Sequence, residues 1–169
     1  AEYLINDYLK DGNNVLTLKI FRWSTGSYLE CQDFWRISGI ERDVFLYSQP
    51  KAALKDFRVT STLDDTYKDG IFKLGVDLRN NGSTAGNMTL VYELLDANGK
   101  VVATGEKATN VAAGETRTVS FDQTLPDVKT WTSEAPNLYK LVMTVKENGK
   151  VNEIIPFNVG FRRIELKPT

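Results

Sequence analysis

The sequence of 169 residues contains no histidine and only one cysteine, Cys31. The lack of histidine excludes Ser-His-Asp and Cys-His catalysis, histidine metal ligation, and the one side chain whose ordinary pKa lies near neutrality. One cysteine cannot form an intrachain disulfide or a multi-cysteine zinc site. Because a catalytic thiol needs an activating base, we interpret Cys31 as a small buried residue.

An excess of charge of one sign is also missing. The chain has 21 lysines and arginines against 22 aspartates and glutamates, a net charge of −1. This balance gives no electrostatic footprint for nucleic acid or for an anionic membrane surface. No stretch approaches the roughly 18 consecutive apolar residues of a membrane-spanning helix, and residues 1–30 lack the pattern of an export signal. We therefore expect neither nucleic acid nor a membrane as a partner.

Hydrophobic residues make up 41% of the chain, which is enough to bury one sizeable core. They alternate with polar residues over much of residues 54–159. Phe72, Leu74, Val76 and Leu78, for example, are separated by lysine, glycine and aspartate. The same period of two recurs over residues 88–94 and 139–145. Such alternation predicts half-buried antiparallel strands.

Asn-Gly pairs separate the predicted strands. Asn98-Gly99 and Asn148-Gly149 tolerate the positive φ values that tight hairpin turns require. Further strands are predicted over 55–63, 115–121 and 151–159. About seven strands in roughly 105 residues predict an all-β fold, an immunoglobulin-like β-sandwich. Tyr139 begins the sixth strand, where such sandwiches often place a tyrosine whose hydroxyl bonds to upstream backbone; a plain core tyrosine is the alternative.

Residues 1–50 show a different pattern. We predict a helical turn over Ile5–Leu9 and strands over Val15–Arg22 and Asp43–Ser48. Two or three strands of this kind cannot enclose a core, so these residues are predicted to be the tail end of a domain whose beginning is absent. Because their strand edges are unpaired, we expect these segments to be disordered, to pack on the sandwich or to pair between chains, and repacking or pairing is favoured over a well-formed jelly roll. Pairing between chains would give self-association through residues 1–50.

Aromatic side chains and carboxylates are concentrated between Trp23 and Trp35. Aromatic faces beside Glu30 and Asp33 suit a sugar-binding surface, because sugar C–H faces pack on rings and carboxylates accept hydrogen bonds from hydroxyls. Packing is the favoured interpretation for most of the cluster. Glu30 and Asp33 are not interpreted as the carboxylate pair of a glycosidase, because proximity in sequence does not establish the separation that catalysis needs.

Two further charged groups have structural interpretations. Arg36 and Arg42 suit bidentate pairing with a nearby carboxylate such as that of Asp33 or Asp43. Residues 64–69 contain three aspartates, whose oxygens are ligands that calcium prefers. Their spacing does not match an EF-hand loop, and a solvated turn is the favoured interpretation.

Two groups of motifs resemble those of a known enzyme family. Residues 22–30 (RWSTGSYLE), 32–40 (QDFWRISGI) and 42–44 (RDV) resemble the end of the sugar-binding jelly-roll domain of bacterial β-galactosidases in glycoside hydrolase family 2. Residues 131–139 (WTSEAPNLY) and 159–164 (VGFRRI) are similar to the end of that family's immunoglobulin-like domain. With motifs at both ends in the expected order, the resemblance covers essentially the whole chain.

The resemblance implies a parent enzyme that hydrolyses terminal β-D-galactosides with retention, using two glutamates on a TIM barrel that begins after Thr169. Because neither glutamate lies in this chain, the chain alone should be inactive. The resemblance also implies that Asp33, the aspartate of the Gln-Asp-x-Trp motif, helps to bind a galactose hydroxyl and a sodium ion. Sodium and magnesium are the ions implied for the parent, and no cofactor is expected for this fragment alone.

The resemblance predicts three parts: residues 1–50 as the C-terminal part of a truncated jelly roll, 51–165 as the immunoglobulin-like sandwich, and 166–169 as the start of a linker to the barrel. The predicted function is that of a noncatalytic scaffold that positions the sugar-binding domain against the barrel. Its partners are then the remaining jelly-roll and barrel domains and, in the intact enzyme, a β-galactoside. The alternatives are an autonomous carbohydrate-binding module and an immunoglobulin-like interaction domain.

Overall fold

The computed structural model describes residues 2–29 and 39–166, and the chain divides between Tyr47 and Ser48 into two compact units. The second unit confirms the predicted all-β sandwich. Its strands are β1 (Ala52–Leu63), β2 (Gly70–Asn80), β3 (Gly86–Leu95), β4 (Val101–Val111), β5 (Thr116–Leu125), β6 (Tyr139–Glu147) and β7 (Lys150–Val159). Each predicted run of alternating residues therefore forms a strand.

The strands form two antiparallel sheets, one with the order β1-β2-β5 and one with the order β4-β3-β6-β7. Alternate side chains of β2, β3 and β6 are buried and form a single core between the sheets. Tyr92 of β3 lies at its centre, 5.5 Å from the Phe72 ring and 4.8 Å from the Phe121 ring. Each fully buried side chain of this size contributes about 1.5–3 kcal/mol.

The two predicted Asn-Gly turns are present. Asn148 and Gly149 have φ values of 49° and 81°, the two successive positive values of a type I′ hairpin, and they connect β6 to β7. Gly99 has a φ of 80° in the turn between β3 and β4. The Asp96 side chain fixes that turn by accepting hydrogen bonds from the backbone N–H groups of Asn98 and Lys100.

Side chains connect the edge strands of the two sheets on one side of the sandwich, and we call this group the β1–β7 clamp. The Leu54 N–H donates to the Glu153 carboxylate at 2.7 Å, and the Asn152 amide donates to the Ala52 carbonyl at 3.1 Å. The Gln49 amide donates to the Leu54 carbonyl and to Glu153. Both strands have register irregularities here, which free backbone groups for these side chains.

The opposite side of the sandwich is closed in a similar way. The Lys107 ammonium of β4 donates to the Ser120 carbonyl of β5, and the Gln123 amide donates to the Thr104 carbonyl at 3.1 Å. The Lys107 ammonium also lies 5.1 Å from the centroid of the Phe121 ring. Because these bonds use backbone carbonyls of edge strands, they reduce the number of open ladder positions available to another chain.

The first unit differs from the sequence prediction in its strands. The helical turn is confirmed as a 3₁₀ turn over Asn6–Tyr8, and α1 (Gly26–Leu29) is a short helix that was not predicted. The predicted strands Val15–Arg22 and Asp43–Ser48 are wrong, since neither segment forms a strand. A strand needs a hydrogen-bonding neighbour, and the described residues of this unit contain none. Their apolar side chains are exposed, with Val15 at 91% and Phe45 at 73%.

Candidate functional site

The described residues leave out the second half of the aromatic and acidic segment, residues 23–35, singled out from the sequence. Glu30, Cys31, Asp33, Trp35 and Arg36 lie outside them. The roles of Asp33 in binding substrate and sodium therefore stay predictions. Of the remaining segment, the Trp23 side chain is 52% exposed, and the Arg22 guanidinium lies 5.4 Å from its ring centroid.

The two other motif segments, 131–139 and 159–164, meet at one end of the sandwich. We call this end, formed by residues 64–69, 127–138 and 160–165, the exit end. A parallel bridge joins Thr130 to Phe161, and the Trp131 N–H donates to the Phe161 carbonyl at 2.8 Å. The Phe161 ring is fully buried and lies edge-on to Tyr139, with 5.2 Å between the centroids. The two motif segments are therefore distant in the sequence but in direct contact in the fold.

Tyr139 has the role proposed for it as a strand-initiating tyrosine. Its ring is buried in the core, and its hydroxyl accepts a hydrogen bond from the Lys129 backbone N–H at 2.9 Å. This bond satisfies both groups and attaches the loop before β6 to the start of that strand. The alternative of a plain core tyrosine is therefore wrong.

Gly160 and Arg162 hold Trp131 between them. A Cβ atom on Gly160 would lie 3.1 Å from the Cβ and Cγ atoms of Trp131, so glycine allows the side chain to approach the backbone closely. The Arg162 guanidinium lies 5.1 Å from the centroid of the Trp131 ring, a cation–π contact. The Ser61 hydroxyl also donates to the Gly160 carbonyl at 2.8 Å, which attaches this segment to β1.

Arg163 joins the chain after β7 to the loop between β1 and β2. Its guanidinium donates to Asp65 at 2.6 Å and to the carboxylate of Glu165 at 2.5 Å. The hydrogen bond with Asp65 raises the pKa of Arg163, and the hydrogen bond with Glu165 raises the pKa of Tyr67. The Tyr67 ring lies 5.4 Å from the guanidinium. Sequence reasoning missed this cluster, because the only signal was an arginine followed two positions later by a glutamate.

Asp64 organises the β1–β2 turn as the turn interpretation predicts. One of its oxygens accepts a hydrogen bond from the Thr66 hydroxyl at 2.6 Å. The other accepts hydrogen bonds from the backbone N–H groups of Lys68 and Asp69, both at 3.0 Å. These bonds, led by the one from Thr66, stabilise the ionised carboxylate and lower its pKa to about 2. The Asp69 carboxylate in turn accepts the Asp127 N–H at 3.0 Å, which ties the two loops together.

An open groove of about 480 Å³ lies where β2, β4 and β5 come together. Lys73, Lys107, Phe121 and Asp122 contribute to its lining. Its one carboxylate, Asp122, pairs with Lys73 at 2.9 Å. Retaining and inverting glycosidases both need two carboxylates across a sugar, so this groove does not supply that chemistry.

In the described part of the chain, no helix is long and apolar enough to cross a bilayer.

The chain is similar to known β-galactosidases over its whole length. It is 40% identical to the β-galactosidase of Priestia megaterium over 169 residues, covering 99% of this chain and 16% of the relative. It is 41% identical to that of Halalkalibacterium halodurans over 167 residues, covering 98% of this chain and 16% of the relative. The chain thus spans 16% of the length of these relatives.

Solved structures share the fold. The β-glucuronidase of Bacteroides uniformis superposes with a TM-score of 0.72 at 19% identity, covering 78% of this chain and 17% of that chain. A putative β-galactosidase of Bacteroides fragilis gives 0.60 at 24% identity, over 65% of this chain and 16% of that chain. Residues 52–162 match the family glycosyl hydrolases family 2, and residues 1–50 match the sugar binding domain of the same family. The resemblance seen in the motifs is therefore confirmed, and the chain belongs to glycosyl hydrolases family 2.

Proposed function

We propose that this chain is a noncatalytic scaffold segment of a retaining β-galactosidase, and that it positions the sugar-binding domain against the catalytic barrel. The observation that carries this proposal is the extent of the similarity. The chain matches β-galactosidases over 98–99% of its own length but over only 16% of theirs. Hydrolysis of terminal β-D-galactosides then belongs to the parent enzyme, whose barrel supplies both catalytic glutamates.

The sandwich has the geometry that a rigid spacer needs. The β1–β7 clamp holds the first residues of β1, and the exit end holds its last residues through Ser61 and the Leu63 carbonyl, which Arg163 contacts. The strand that carries both groups, β1, has 12 residues, so its two ends lie roughly 35–40 Å apart. Because a packed antiparallel sheet holds β1 along one edge, segments attached at its two ends keep a fixed separation.

For the intact enzyme we assign Asp33 a role in substrate binding. A carboxylate accepts hydrogen bonds from sugar hydroxyls and is a hard oxygen ligand suited to a sodium ion. The assignment rests on its position in the Gln-Asp-x-Trp motif. In the intact enzyme, Asp33→Asn should raise KM for a β-galactoside and weaken the response of activity to sodium. An unchanged KM together with an unchanged sodium response would contradict the assignment.

The match of residues 1–50 to a sugar binding domain favours one other candidate, an autonomous carbohydrate-binding module. Calorimetric titration of the isolated chain with galactose and lactose separates the two. The scaffold proposal predicts no saturable binding by the isolated chain, and β-galactosidase activity when the chain is supplied with the remaining jelly roll and the barrel. Saturable binding by the chain alone would instead support the module.

A further inference from the structure

Three Asn-Gly pairs occur in the sandwich: Asn81-Gly82, Asn98-Gly99 and Asn148-Gly149. An asparagine before glycine is open to attack on its side-chain amide by the backbone nitrogen of the glycine, because glycine has no Cβ to obstruct the approach. The attacking nitrogen must first lose its proton. A glycine N–H that donates a hydrogen bond in the fold is therefore held back from this reaction.

The three glycine N–H groups differ in whether they donate a hydrogen bond. The Gly82 N–H donates to the Asn80 side-chain oxygen at 2.8 Å. The Gly99 N–H donates to the Asp96 carbonyl at 3.0 Å and so closes its turn. The Gly149 N–H has no acceptor among the described residues, and both Asn148 and Gly149 are exposed to solvent. Of the three pairs, only the one between β6 and β7 thus combines an exposed amide with an unengaged attacking nitrogen.

We propose that Asn148 is a site of spontaneous covalent modification, at which the side-chain amide is converted to aspartyl and isoaspartyl products. The deprotonated Gly149 nitrogen attacks Cγ of Asn148, the new N–C bond closes a cyclic imide, and the Cγ–Nδ2 bond breaks as ammonia leaves. Water then adds to one of the two imide carbonyls and opens the ring. No electrons are gained or lost, and water is the only co-reactant.

The isoaspartyl product would damage the hairpin itself. It inserts one extra carbon into the backbone between residues 148 and 149, where a two-residue turn with two positive φ values holds Glu147 opposite Lys150. The same hairpin leads into Asn152 and Glu153, which form part of the β1–β7 clamp. Modification at Asn148 should therefore loosen β7 before it affects β2 or β3.

The test is incubation of the folded chain in mildly alkaline buffer at physiological temperature, followed by peptide mapping by mass spectrometry. Isoaspartyl residues are counted separately by labelling with protein isoaspartate methyltransferase. We expect conversion at Asn148 to be roughly tenfold faster than at Asn98 or Asn81, the ratio that one protecting hydrogen bond supplies. The variant Asn148→Gln should abolish most methyl acceptance, and the matched Asn98→Gln should not.

Incubation of the same chain in denaturant provides the control, because unfolding removes the hydrogen bonds of Gly82 and Gly99. The three conversion rates should then converge. The proposal is overturned if Asn98 or Asn81 in the folded chain reacts as fast as Asn148, or if the ranking persists in denaturant. Neither outcome depends on β-galactosidase activity, so the inference and the proposed function can fail separately.

Discussion

Two buried tyrosines differ in what their hydroxyl groups contact. The Tyr139 hydroxyl accepts the Lys129 N–H, whereas the Tyr92 hydroxyl is buried with no hydrogen-bond partner in the described part of the chain. Burial raises the pKa of Tyr92, since the charged form would be desolvated. The two rings are similarly packed against aromatic neighbours, so their hydroxyls should contribute to stability with opposite signs.

Replacing each tyrosine by phenylalanine tests this difference. Tyr92→Phe removes an unsatisfied polar group and should raise the free energy of unfolding by about 1 kcal/mol. Tyr139→Phe leaves the Lys129 N–H without its acceptor and should lower that free energy by about 1–2 kcal/mol. Urea denaturation of both variants gives the two values. A loss of stability in Tyr92→Phe would show that its hydroxyl is satisfied after all.

Two strand glycines make a second matched pair. A Cβ on Gly105 would lie 2.7 Å from Cε1 of Tyr92 and 2.9 Å from the Phe121 ring, whereas the nearest atom to a Cβ on Gly75 is 3.9 Å away. Gly105→Ala should therefore lower the free energy of unfolding by about 1–3 kcal/mol. Gly75→Ala should leave it unchanged or raise it by up to about 1 kcal/mol. Equal effects in thermal denaturation would contradict this reading of the core.

At the scale of elements, the β1–β2 turn depends on an ionised Asp64. Its pKa falls from 3.8 to about 2 in the folded chain, so the turn gains stability above pH 3.8 and loses it as the pH falls through 2. The amide resonances of Lys68 and Asp69 should titrate with that low midpoint, and the titration should vanish in Asp64→Asn. A midpoint at or above 3.8 would mean that these hydrogen bonds do not favour the charged form.

The β1–β7 clamp makes a prediction about one strand end. The Leu54 N–H donates to the Glu153 carboxylate, so Glu153→Ala should reduce hydrogen-exchange protection at Leu54. The free energy of unfolding should fall by about 1.5–3 kcal/mol, as for a bond to a charged group. Glu93→Ala is the matched control, because Glu93 is an exposed glutamate on β3, a strand of the same sheet that does not pair with β7. Unchanged protection at Leu54 would show that the Glu153 carboxylate does not hold this end of β1.

Local patterns predicted the elements whose formation depends on local chemistry. Alternation gave β2, β3 and β6 because one face of each is buried, and the Asn148-Gly149 turn followed from its tolerance of positive φ. The strand prediction for Val15–Arg22 was wrong because an alternating segment forms a strand only where a neighbouring strand supplies hydrogen bonds. The pairing of Arg163 with Asp65 joins residues 98 positions apart, and no periodicity in the sequence specifies such a contact.

In the molecule as a whole, contacts at both ends of the sandwich hold the chain in position. The β1–β7 clamp and the exit end fix the two ends of β1, and the carboxylates of Asp64, Asp65 and Glu153 are engaged in hydrogen bonds or ion pairs. The similarity to β-galactosidases covers nearly all of this chain but only 16% of each relative. This coverage supports the proposal that the chain is one segment of a larger glycosidase.

An assay of the purified chain with a chromogenic β-galactoside tests whether the chain is noncatalytic. If the chain is a noncatalytic scaffold, colour should be released at the buffer rate at every concentration of the chain, because the proposal assigns the two glutamates needed for retention to the barrel of the parent enzyme. Turnover that rises in proportion to the concentration of the chain, and that disappears at the temperature where the sandwich unfolds, would contradict the account.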